Sequence, residues 1–282
     1  MTKAAPSPRA GRWRRRMSRP GAAAALVVLG AAAGAAAAGP WLTEGHWNAM
    51  TSPPRLPPGA VGHLLGTDDL GRDMATRLLR GARYTLATGA GAIGLAAAVG
   101  GTVGLAAGLA GGWFNAIAMR AADLLLAFPT VLMALAVVAT LGFSLPNVAL
   151  AVGLAYAPQF ARVARGAAAG QAALDYVAAA RAVGCGPVRL VTVHLLPNCA
   201  GPLVVLASAA LAQAMLECAA LSFLGLGAQP PLPEWGRMLN DGRSAFLTHP
   251  HLTLVPGAAL AITALSVNVA GDAVRDVLDR GE

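Results

Sequence analysis

The sequence predicts an all-α, polytopic membrane protein with six transmembrane helices, and three observations carry that prediction. Of its 282 residues, 56% are hydrophobic and only 12% charged, where a soluble domain carries about 25% charged residues. Apolar runs long enough to cross a bilayer recur along the chain. The basic residues gather at the ends of those runs, which fits orientation in a membrane better than a nucleic-acid face. The net charge of +8 therefore does not imply nucleic acid, and no interleaving of aromatic and basic residues of the kind that binds single strands is visible.

The elements follow in order. Residues 1–20 form a basic tail with Lys3, Arg9, Arg12, Arg14, Arg15, Arg16 and Arg19 and no acid. Gly21–Gly39 is uncharged and its nineteen residues suffice for one crossing. A basic start, an apolar run and an Ala-rich end also describe a secretory signal cleaved near Ala38, so both readings stand. Residues 40–84 form an extracytoplasmic loop. It begins extended at Pro53, Pro54, Pro57 and Pro58 and ends in a surface helix placing Leu70, Met74, Arg77 and Leu78 on one face. Thr67 or Asp68 would cap that helix. Five further spans are placed at Thr85–Ala110, Ala116–Leu141, Asn147–Val163, Ala200–Leu221 and Leu254–Val269, within a membrane domain covering 85–276. Residues 277–282 form the C-terminal tail. Gly100, Gly104 and Gly108 recur every four residues, a spacing that lets helix backbones approach closely. Pro129 is expected to kink the third span.

Six spans put both termini on one side. With the tails, the 110–120 loop and the 162–190 loop assigned to the cytoplasm, that side holds 14 of the 21 Lys and Arg residues, as the positive-inside rule requires. A polar, basic island from Asp175 to Asn198, DYVAAARAVGCGPVRLVTVHLLPN, then lies inside the cell. It begins with a short helix of mostly small residues. Tyr176, Ala179, Ala180 and Val183 share one face. Gly184 can supply the left-handed residue that ends the helix, and Pro187 can open the next one. A small-faced helix outside the bilayer suits a groove on another protein, or is a plain loop helix.

The island resembles the coupling loop of ABC importer permeases, where a Glu-Ala-Ala helix and a downstream Gly dock on the ATPase subunit. The matching run is Ala178-Ala179-Ala180, with Gly184 and the closing HLLPN of His194 to Asn198. LLGTDDLGRD (Leu64 to Asp73), RLLRGARYTL (Arg77 to Leu86), DLLLAFPTVL (Asp123 to Leu132), ALSFLGLGAQPPLPEWGRMLNDGR (Ala220 to Arg243) and GDAVRDVLD (Gly271 to Asp279) extend the likeness, in order, to the second permease of dipeptide, oligopeptide and nickel importers. The resemblance implies a type I importer permease fold in the plasma membrane with a coupling loop at about 166–198. It also implies a second homologous permease, two ATP-binding subunits and an extracytoplasmic solute-binding protein as partners. ATP and Mg would sit on the ATPase subunits, and this chain lacks GxxxxGK[ST]. ATPase coupling would fall to Asp175, Tyr176, Ala178, Ala179, Ala180, Arg181, Gly184, His194 and Pro197. Two positions depart from the family: Ala178 stands where Glu is usual, with Asp175 one turn earlier, and Cys218 takes the slot of a second Glu, with Glu217 beside it.

Within the spans, Glu217 either lines the translocation path or anchors the following loop, and Gln213, one turn earlier, shares its face. Asp123 is expected to pair with Arg120 at the membrane boundary. The Gln229–Trp235 loop, with three prolines, suits a gate, a contact with the binding protein or a structural role. Cys185, Cys199 and Cys218 lack metal spacing and read as small apolar fillers. His249 and His251 lack further ligands for a metal, and no Ser/His/Asp set in a pocket is visible, so the chain is not read as an enzyme. An ion-driven secondary transporter would need more intramembrane charge. Peptides are the expected cargo, nickel the alternative, since no His or Met cluster is available to hold a metal.

Overall fold

A computed structural model describes residues 20–186 and 189–278; the basic tail, Pro187 and the last residues lie outside it. Among the described residues every regular element is helical. They are α1 (Pro20–Leu42), α2 (Met74–Ala110), α3 (Gly112–Leu126), α4 (Thr130–Leu141), α5 (Leu145–Ala172), α6 (Asp175–Ala182), a π-helical turn (Leu190–Leu195) leading into α7 (Leu196–Phe223), α8 (Trp235–Gly242) and α9 (His251–Leu278). The chain divides into two compact units, one of residues up to Leu86 and from Pro233 onward, the other Ala87–Leu232.

Four helical stretches are long and apolar enough to cross a membrane: Ala23–Leu42, Met74–Ala110, Leu190–Phe223 and His251–Asp276. The α3–α4 pair makes a fifth if it counts as one span. The 28-residue α5 is long enough at about 42 Å, though Gln159, Arg162 and Arg165 make it less apolar. Six spans are thus compatible with the structure when α5 is included.

The third expected span is broken rather than kinked. α3 and α4 meet at 95° because Pro129 takes an extended ψ of 130° immediately before Thr130. Proline tolerates that conformation at a helix start and offers no N–H to continue the previous helix. At 12 residues, α4 spans only about 18 Å.

The second unit is held by α2 lying on α5. A Cβ on Gly100, Gly104 or Gly108 would sit 2.1, 2.2 or 2.7 Å from the carbonyl oxygens of Ala157, Ala161 and Arg165. The four-residue glycine ladder therefore faces a four-residue carbonyl ladder, and the close approach expected from the sequence is found. Phe160, Val148, Val152, Val138 and Leu221 fill the core around it, with Cys218 among them.

In the first unit, the expected surface helix before the second span does not exist as a separate element. Leu70–Asp73 is a turn, and α2 runs unbroken for 37 residues from Met74. Met74 and Arg77 are buried in protein while Leu70 is exposed and Leu78 half-buried, so the four do not form one exposed face. The cap is Asp73, not Thr67 or Asp68: its Oδ1 accepts from Thr76 N at 2.8 Å. Asp68 instead accepts from Leu70 N and Arg72 N and pairs with Arg72 at 2.6 Å and Arg77 at 3.3 Å. Thr67 bonds the carbonyl of Pro53 and the N–H of Leu56. Pro233–Trp235 packs on the start of α2: Trp235 Nε1 donates to Leu78 O at 3.0 Å, and Gly81 leaves room for the Pro233 carbonyl. Glu234 caps α8 through Gly236 N and Arg237 N and accepts from Thr85 Oγ1 at 3.0 Å.

Candidate functional site

The island forms the helix the sequence predicts. α6 starts at Asp175 and ends in a Schellman motif: Cys185 N donates to Ala180 O at 3.0 Å and Gly184 takes a φ of +81°. The six-residue reach of that bond, with a left-handed residue between, satisfies the last carbonyls of the helix. A side chain at Gly184 would meet nothing within 4 Å. The glycine is required by conformation and not by space, since an L-residue there costs roughly 1–2 kcal/mol.

Val177 is the main seat of α6. Val177 is fully buried with Leu190 and Leu195, against Leu109 and Ala180. The face expected to dock is therefore rotated by one position. Asp175, Tyr176, Ala178, Ala179 and Val183 are exposed, while Ala180 turns half-buried toward the protein. Arg181 belongs to the helix, but its side chain lies outside the described set. Tyr176 OH donates to Gln171 Oε1 at 2.8 Å and receives Asn198 Nδ2 at 3.4 Å. Asn198 also bonds the carbonyl of His194 at 2.6 Å. The HLLPN segment thus braces α6 from the side. Pro197, exposed in the first turn of α7, cannot donate to the carbonyl four residues back. That missing bond accounts for the wider π turn of Leu190–Leu195 preceding it.

The second candidate lies among α4, α5 and α7. Glu217 is only 6% exposed. Its Oε1 accepts from Thr130 Oγ1 at 3.0 Å, Tyr156 OH at 3.1 Å and Gln213 Nε2 at 3.4 Å. Its Oε2 is buried without a partner. Gln213, expected on the same face one turn earlier, bonds the carboxylate, and among the described residues its hydrogen-bond partners lie on α4, α5 and α7. Sequence reasoning missed Thr130 and Tyr156. A tyrosine hydroxyl inside an apolar span needs a partner, which could have drawn attention to Tyr156; nothing local marks Thr130.

Asp123 pairs with Arg162 on α5 at 3.0 Å, not with Arg120, because neighbouring helices bring the opposite charge closer than its own helix does. Elsewhere the structure gathers a Ser/His/Asp set that the sequence reading did not find. Ser52 Oγ and Asp73 Oδ2 each lie 2.8 Å from His63. Asp73 is also the α2 cap, and Ser52 is followed by Pro53 and Pro54, which have no N–H to hold an oxyanion. The set ties the loop to the helix.

Residues 100–282 match the family described as binding-protein-dependent transport system inner membrane component. The chain belongs to this family. The permease is 40% identical over 269 residues to a putative peptide transport system permease protein of Brucella suis, covering 94% of this chain and 90% of the relative. It is 42% identical over 217 residues to a glutathione transport system permease protein of Pectobacterium atrosepticum, covering 77% and 72%. It is 38% identical over 254 residues to a dipeptide transport system permease protein of Alkalihalophilus pseudofirmus, covering 90% and 84%. The permease accordingly has the type I importer permease fold. It is a multi-pass inner-membrane transport subunit of an ABC importer, a system that works with ATPase and substrate-binding partners.

Proposed function

We propose that this permease forms half of a translocation path for peptides, driven by ATP hydrolysis on partner subunits. The observation that carries the coupling role is the exposed face of α6: Asp175, Tyr176, Ala178 and Ala179 point outward on a helix seated mainly by Val177 and stopped by Gly184. Such a helix can transmit force from an ATPase groove to α2 and α7 without unfolding, and the partner supplies the rest of its burial. Arg181, His194 and Pro197 complete the coupling segment. Asp175, one turn before Ala178, takes over the polar contact that a Glu at Ala178 would make. ATP and Mg act on the two ATPase subunits, and a second homologous permease and a solute-binding protein complete the assembly.

Both termini and α6 face the cytoplasm in this reading. A membrane-impermeant thiol reagent tests it, because Cys185 is half-exposed just past α6 while Cys199 and Cys218 are buried. Cys185 should label in inverted vesicles and not in right-side-out ones. Labelling only from outside would invert the topology.

Peptide cargo is supported by relatives named for peptide, dipeptide and glutathione transport. No group of three His, Cys, Asp or Glu placed to hold a metal exists among the described residues. Glu217 and Gln213 brace the α4 bend beside the path in this proposal. Uptake of labelled dipeptides, longer peptides and nickel in a deletion strain tests the cargo. Loss of nickel uptake alone would overturn the peptide assignment.

A further inference from the structure

The end of the second unit that carries α6 holds a polar cleft between α3 and α5. It has a volume of about 280 Å³ and is lined by Asn115, Ala116, Met119, Asp123, Arg162 and Arg165. Its position follows from the chain. Leu109, at the end of α2, packs against the Val177 cluster beneath α6, and α3 begins at Gly112, two residues after α2 stops.

The two arginines are not equivalent. Arg162 Nη2 faces Asp123 Oδ1 at 3.0 Å, so its charge is balanced. Arg165 Nε donates to Asn115 Oδ1 at 3.0 Å, a neutral partner that orients the guanidinium and leaves its charge uncompensated. With two arginines and one aspartate the cleft is cationic. Half-buried Arg165 keeps its terminal nitrogens available, and a guanidinium fork matches the paired oxygens of a phosphate.

One turn before Ala116, α3 exposes Trp113, at 75%, at the rim of the cleft. Trp113 stacks edge-to-face on Phe114 at 6.3 Å. Exposed Trp next to Arg is what a membrane–water interface selects. An anion site with an exposed Trp at its rim, in a membrane subunit, fits a phosphodiester that carries acyl chains. Basic pockets between helices on the cytoplasmic side of a membrane bind such headgroups.

We propose that this cleft binds the headgroup phosphate of an anionic phospholipid of the inner leaflet, with Arg165 as its main partner and Trp113 at its rim. The lipid would bridge α3 and α5 next to the docking helix. The leaflet rests on the cytoplasmic orientation of α6 given above; the binding itself does not.

The test uses the assembled transporter with its partner subunits, purified and titrated with phosphatidylglycerol or phosphatidylcholine under native mass spectrometry. Wild type should retain phosphatidylglycerol in preference to phosphatidylcholine. Arg165→Gln should weaken that retention about tenfold, while Arg243→Gln, an equal loss of charge far along the sequence, should leave it unchanged. Equal retention of the two lipids by wild type, a reading that needs no variant to fold, overturns the proposal. So does phosphatidylglycerol retention that Arg165→Gln leaves intact. Displacement of phosphatidylglycerol by inorganic phosphate overturns the lipid assignment in favour of a free anion. Because no arm reads ATP hydrolysis or uptake, failure here is separable from failure of the coupling role, and Cys185 labelling separately reports the leaflet.

Discussion

α6 and the α4–α5–α7 junction are built in opposite ways. Among its described side chains α6 fully buries Val177, half-buries Ala180 and exposes the rest. The junction buries a carboxylate and satisfies one of its oxygens from three side chains on three directions of chain. In the proposed coupling role, α6 gains from having few intramolecular contacts to oppose its displacement. A junction that holds a broken span in place gains from a polar network, because any separation strands buried hydroxyls and a carboxylate.

The largest effect should come from attacking the frame that carries both regions. Gly104→Val places a Cβ about where the Ala161 carbonyl already sits, and the overpacking should cost about 3 kcal/mol or more. Detergent-solubilised protein should lose its thermal transition and its assembly with partner subunits. Normal assembly of Gly104→Val would show that α2 and α5 do not need this approach.

Next is the junction. Glu217→Ala removes the acceptor for Thr130, Tyr156 and Gln213 and should destabilise by roughly 3 kcal/mol, the cost of stranding buried polar groups. Its Tm should fall well below that of Tyr156→Phe, which deletes one hydrogen bond and should cost about 1 kcal/mol. Equal Tm values for the two variants would mean that Glu217 does not act as a hub.

At α6 the readout shifts from stability to coupling. Gly184→Ile strains a left-handed position without filling any occupied space, so the protein should still insert and assemble. ATP hydrolysis should continue while peptide uptake falls at least tenfold. Full uptake would remove Gly184 from the mechanism.

The smallest effect is expected for Asp175→Ala. An exposed carboxylate contact contributes little, so uptake should fall less than about threefold, with Tm unchanged. A loss as large as that of Gly184→Ile would make Asp175 the main grip on the ATPase.

Much of the α6 region was legible because it depends on local chemistry. The run of small helix-forming residues and a glycine at a left-handed stop are each interpretable within a few positions. The one-position rotation of its outward face was not, because it depends on Leu190, Leu195 and Leu109, which are distant in sequence. The junction was half legible: Gln213 and Glu217 share a helix face at i and i+4, whereas Thr130 and Tyr156 come from other helices. The surface helix was misplaced for the same reason. Leu70, Met74, Arg77 and Leu78 have an amphipathic spacing, but burial of Arg77 beside Asp68 is a tertiary event.

By itself, then, the sequence determined the properties set by periodicity and solvent preference: an all-α membrane protein, the placement of its apolar spans, a glycine ladder for close packing and a small helix stopped at Gly184. Only the tertiary structure decided which partner each polar group takes. Asp123 chose Arg162 over Arg120, Asp73 capped α2 in place of Asp68, and Pro129 turned the chain by 95°. Local steric rules restrict a backbone residue by residue, while the pairing of buried charges is settled by whichever helix packs closest.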